Sequence, residues 1–184
     1  APQKQPGMSN KLFLSVVVGG VIIALLVGIF LVLSNISSKP DALQTLGLRL
    51  ATLQTISDNS QKTIKSGELR SINSNLTIYL TDTNRAIATP LTNNGIDLTK
   101  IDKNVIAKEN GSELTKKLED ARLNAVFDRT YAREMTYQLA TVDSLMNQVY
   151  KSTKSTSLKT FLESSNSNLQ SLKKQFSEFN ATNG

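Results

Sequence analysis

The 184 residues include no cysteine, no histidine and no tryptophan, and only four tyrosines and six phenylalanines. Each absence closes a class of chemistry. Without thiol or imidazole there is no Ser-His-Asp triad, no cysteine nucleophile, no redox pair and no zinc site built from His or Cys. No disulfide can brace the fold, and no imidazole can serve as a switch near neutral pH. Carboxylate, Lys or Tyr catalysis and an oxygen-ligand metal site survive these exclusions. The sequence nevertheless holds no glycine-rich phosphate loop, no EF-hand pattern and no other spacing of metal ligands. Nothing nominates a substrate or a cofactor, so the chain reads as non-enzymatic.

What is present begins with one long apolar run. From Leu12 to Leu33, LFLSVVVGGVIIALLVGIFLVL carries no charge, and Ser15 is its only polar side chain. At about 1.5 Å per residue the run covers about 33 Å, which fits a hydrocarbon core of about 30 Å. A secretory signal has a shorter apolar region of about 7–15 residues, so the run reads as an uncleaved membrane-spanning helix. Lys4 and Lys11 precede it with no acid, whereas Lys39 after it is offset by Asp41. This charge bias predicts a cytoplasmic tail over residues 1–11, a span over 12–33, a linker over 34–40 and an extracytoplasmic domain over 41–184. Gly20, Ala24 and Gly28 recur every four residues along one face of the span. Such a face lets a second helix approach closely and predicts a homodimer seam.

Beyond the span, Ser, Thr and Asn dominate, and about 54 of these residues occur in the whole chain. Such a composition raises the question of disorder, and periodicity answers it. Leu43, Leu46, Leu50, Leu53 and Ile64 follow a helical stripe, with Ser57 and Ser60 in two intervening slots; Ser38 with Asp41 marks the start and Ser66-Gly67 the end. A second helix is expected from Glu68 to Ala88 with Leu69, Ile72, Leu76, Tyr79 and Ala86 on one face, closed by Pro90 and Asn93-Asn94-Gly95. A short helix is expected within Leu98–Lys108. The longest run places Leu114, Leu118, Ala121, Ala125, Ala132, Met135, Leu139, Val142, Met146 and Val149 in register, and a last helix runs from Ser157 to Phe179. Four amphipathic helices joined by short loops bury their stripes together only as a bundle. The expectation is therefore an all-α chain: a transmembrane helix, then a mostly antiparallel four-helix bundle with one extra short helix. The third helix, about 60 Å long if continuous, is expected to bend near Phe127–Arg129 or to protrude under cover of the short segment.

In that continuous register Asp128 falls inside, between Ala125 and Ala132, and a carboxylate there needs a partner. Arg49, Arg70 and Arg85 on the first two helices are the candidate counter-charges for an interhelical ion pair. Asn124 and Tyr131, one turn to either side, would complete a polar face that could bind a ligand. Residues 1–39 hold three lysines and no acid, which leaves 18 basic and 15 acidic residues beyond them. So nearly balanced a domain, with isolated lysine pairs and few aromatics, is not a nucleic-acid binder. The layout is similar, in architecture only, to the sensor half of a chemoreceptor; such receptors have a second span and a signalling region, neither of which occurs in these 184 residues. Two functions fit: a non-catalytic interaction or assembly module at the cell surface, partnered by the bilayer and another protein, or a sensor module for a small polar or anionic ligand.

Overall fold

The structure, a computed structural model, describes residues 41–183. The predicted span, its Gly20/Ala24/Gly28 face and the linker lie outside these residues. Among the described residues there are six α-helices and no strand: α1 (Ala42–Ser60), α2 (Gly67–Asn93), α3 (Lys103–Glu109), α4 (Ser112–Leu123), α5 (Phe127–Ser152) and α6 (Thr156–Asn183). One turn of 3-10 helix, Leu98–Lys100, precedes α3. The protein is a helical bundle.

Four long helices enclose the core. The heptad alternation of Ala132, Met135, Leu139, Val142, Met146 and Val149 on α5 meets Leu158, Leu162, Leu169, Leu172, Phe176 and Phe179 on α6, all buried. The α1 and α2 stripes close the other side, and one continuous apolar cluster joins all four. Cross-helix bonds fix the directions. Gln54 and Gln61 of α1 and its following turn reach Thr81 and Ser74 of α2. Asn75 and Thr83 of α2 reach Gln175 and Ser165 of α6. Asp143 and Tyr150 of α5 reach Lys173 and Glu163 of α6. Arg49 of α1 reaches Gln138 of α5, whereas Lys65, beyond the end of α1, reaches Asp128. In every neighbouring pair one number rises as the other falls, so the ring α1, α2, α6, α5 is antiparallel at each contact. The diagonal helices α2 and α5 therefore run the same way, and residues 94–126 must carry the chain the length of the bundle.

This crossover corrects the expected long third helix. Lys117 of α4 pairs with Glu134 of α5 at 2.5 Å; seventeen residues apart on one continuous helix, they would be separated by about 25 Å. The chain folds back at Asn124–Val126, where Ala125 takes a left-handed φ of 57°. The Val126 N–H donates to the Ala121 carbonyl at 2.9 Å and the Ala125 N–H to the Arg122 carbonyl at 3.3 Å. That is the Schellman closure of α4, with alanine where glycine is usual. The short segment differs from expectation as well. It lies against α1, where Ile101 and Val105 form a small second cluster with Leu48, and does not cover α5.

Other boundaries shift for local reasons. Asp41 is itself the cap of α1, accepting the Leu43 N–H at 2.8 Å. α1 stops at Ser60, so Ile64 is buried from the turn and not from a helical stripe. α2 runs through Pro90 and ends in a second Schellman motif, with Ile96 bonded to Leu91 and Gly95 at φ 70°. Its buried face continues through Leu80, Thr83 and Ile87, and Ala86 is exposed. Charge is unevenly spread: residues 97–134 hold eight basic and eight acidic residues, whereas 71–81 and 164–172 on the α2/α6 side hold none.

Gly111 is the cap residue just before α4, at φ 69°, and a Cβ there would lie 2.6 Å from Thr52 Cγ2 and 2.9 Å from Ile56 Cδ1. Gly111→Ala should therefore cost about 1–3 kcal/mol from strain and overpacking, read as a fall of several degrees in the thermal midpoint followed by circular dichroism. A second prediction concerns acid. Burial pushes the Asp143 carboxyl up, but hydrogen bonds from Lys173, Gln170 and Asn147 and the Lys173 charge hold it below its ordinary value. A carboxyl depressed in the folded state contributes stability above its unfolded pKa of about 3.9, and that contribution is lost as pH falls through the folded value. Asp143→Asn should flatten the acid limb of the stability profile below about pH 4.

Candidate functional site

The fold divides the predicted polar cluster. Asn124 is exposed at the reversal, where its amide donates to the Asp120 carbonyl at 2.8 Å. Tyr131 is fully buried between Phe127 and Phe176. Its hydroxyl donates to Asn73 Oδ1, which also accepts from Ser57 Oγ at 2.8 Å. The Asn73 amide donates to the Ser57 carbonyl at 3.1 Å and to Gln61 Oε1, so every bonding position of this buried amide is filled. Ser57 has spent its hydrogen on Asn73, which leaves Thr77 as the donor in their 2.8 Å contact. Burial pushes the Tyr131 hydroxyl well above its usual range and keeps it a neutral donor. The whole set is saturated within itself. It fixes register and offers nothing to a ligand.

Asp128 is half-buried in the first turn of α5. Its carboxylate accepts the Lys65 N–H at 3.0 and 3.1 Å and the Ser66 N–H at 2.7 Å. Ser66 is the cap residue of α2. The carboxylate thus lies at the N-terminal ends of two helices at once, where unpaired N–H groups and both macrodipoles favour negative charge. No arginine meets it. Arg70 is exposed, Arg85 contacts Asp82 on its own helix at 3.8 Å, and Arg49 is engaged elsewhere. A hollow of about 420 Å³ opens beside Asp128, but Tyr131 and Asn124 do not line it.

The larger concavity, about 640 Å³, lies between the crossover and the α1/α5 face. Arg49 forms one wall: its Nη2 is 2.7 Å from Glu109 Oε2, and its Nη1 donates to Gln138 Oε1 at 2.9 Å. Thr52 donates to the Glu109 carbonyl at 2.6 Å, so one residue, the last of α3, is held by both its side chain and its backbone. Lys117 and Glu134 form another wall, and Tyr137, 64% exposed, also lines the concavity. Among the described residues Arg49 Nε is the one buried side-chain nitrogen or oxygen without a hydrogen-bond partner. Sequence reasoning singled out Arg49 as a partner for Asp128; Glu109, Glu134 and Gln138 gave no local signal, because the crossover that gathers them depends on the reversal at Ala125. No three His, Cys, Asp or Glu side chains converge as a metal site among the described residues.

With known protein families, characterised proteins and solved structures alike, the chain shows no match. The class is therefore set by architecture alone: an all-α bundle with one long crossover.

Replacing Asp128 by Asn or Ala removes the charge that two helix ends share. An expected loss of about 0.5–2 kcal/mol should appear as a clearly lower thermal midpoint, and an unchanged midpoint would refute a structural role for this carboxylate.

Proposed function

We propose that the chain is a single-pass membrane protein whose helical bundle serves outside the cytoplasm as a non-catalytic interaction or assembly module, with the bilayer and a protein as its partners. One observation carries this reading. The four stripes consume one another in a continuous apolar core, and Ser57, Asn73, Tyr131, Thr83 and Ser165 inside it bond to one another, so recognition falls to the outer surface. That surface is polarised, with the charged crossover on one side and an uncharged hydroxyl and amide flank on the other. The anchor rests on the run Leu12–Leu33; among the described residues no helix is long and apolar enough to cross a membrane. Gly20, Ala24 and Gly28 are the proposed seam between two copies in the bilayer.

A second reading, capture of a small polar ligand, is favoured by a specific feature: the crossover forms one side of a polar concavity of ligand size. It moves the ligand site from Asp128 to Arg49.

The main reading is tested on the full chain in its membrane. Mass measurement of the extracted protein should show residues 1–34 retained, and a photo-crosslinker at Lys116 or Arg133 should give a discrete adduct in intact membranes. A chain shortened at its N-terminus, or no adduct from any exposed helix face, would overturn it.

A further inference from the structure

The charges around the larger concavity are mixed in an unusual way. Arg49, Lys108 and Lys117 stand against Glu109, Glu113 and Glu134, three of each sign. They are not segregated: Arg49 and Glu109 pair across α1 and α3, and Lys117 and Glu134 pair across α4 and α5. A simple anion approaching Arg49 therefore meets Glu109 beside it, and a simple cation approaching Glu134 meets Lys117. Neither gains much. A molecule carrying both charges a few ångströms apart can be attracted by both walls at once.

The unpartnered Arg49 Nε–H supplies the second observation. A buried donor left unsatisfied costs about 1–3 kcal/mol, and this one persists on the flank of a bundle in which the buried Ser57, Asn73 and Tyr131 groups are bonded to one another. It belongs to a guanidinium whose other nitrogens reach Glu109 and Gln138, and a carboxylate taken in a two-pronged fashion is the group that such an edge fits best. A carboxylate drawn to Arg49 would displace Glu109, which then becomes free to take an ammonium, so that no charge is left alone.

The geometry points to a binding site for a small zwitterion, a molecule of the amino-acid class, between the crossover and α1/α5, with Arg49 receiving the carboxylate and Glu109 or Glu134 the ammonium. This rests on the ligand-capture reading and adds the ligand's class to it. The Lys117–Glu134 wall supplies selectivity, because as a neutral pair it gives little net attraction to either charge presented by itself.

Calorimetric titration of the full chain in detergent micelles tests the site, using the twenty standard L-amino acids, acetate and ethylammonium as probes at one ionic strength. At least one amino acid should bind about tenfold or more tightly than either single-charge probe. Glu109→Gln and Glu134→Gln combined, which keep the size of both side chains, should erase that preference while the melting curve shows the bundle still folded; Arg49→Lys should weaken binding of the same amino acid. If acetate binds as well as every amino acid, the zwitterion assignment is overturned and ligand capture stands. If no probe binds up to about 10 mM, both fall.

Discussion

The chain must travel the length of the bundle between α2 and α5, and most of what distinguishes this molecule follows from that constraint. Two helices that run the same way cannot be joined by a tight turn. The 33 residues from Asn94 to Val126 make the passage, and each of their parts answers a step of it. The 3-10 turn and α3 lie along α1; Gly111 redirects the chain close beside it; α4 climbs against α5; and the reversal at Ala125 delivers the chain to the start of α5. The Arg49–Glu109 contact ties this passage down at its middle, and Lys117–Glu134 ties it nearer the end.

The same constraint explains how a carboxylate in the first turn of α5 can do without an arginine. Once the chain reverses before Phe127, the start of α5 comes to rest beside the start of α2, and two positively polarised helix ends face each other. A single anion placed between them satisfies both. Had α4 and α5 been one helix, the same aspartate would have been a buried charge in search of a cation. The bundle's inner polar groups follow a similar economy. Ser57, Asn73, Thr77 and Tyr131 bond among themselves, as do Tyr79, Thr83 and Ser165 on the α2/α6 side. Every helix pairing other than the one intended would strand some of these groups without partners.

The helical class, the order of the elements and most buried faces could be read from spacing alone, whereas helix number could not, because the expected third helix is two helices, α4 and α5. The α5 and α6 stripes needed no correction. The reversal at Asn124–Val126 was hidden because it carries neither glycine nor proline: Ala125 continues the apolar register, and only its tertiary setting gives it a left-handed φ. The expectation of a bend near Phe127–Arg129 came from length, not from a turn signal, and so could not foresee a complete fold-back. Everything that depended on continuity then moved, including the interior placement of Asp128, the polar face with Asn124 and Tyr131, and the expected arginine partners. The groove was illegible for the same reason, since its walls come from four helices brought together by that one turn.

Gly111 bears on more than stability. With no side chain at Gly111, the backbone at the start of α4 packs directly against the side chains of Thr52 and Ile56 on α1. The separation of the Arg49 and Lys117 walls is therefore set by an absent carbon. Side chains at the rim can change what the groove prefers, but its gauge is fixed upstream by the backbone. A lineage that lost this glycine would widen the gap between its two ion pairs even if all four charged residues were kept.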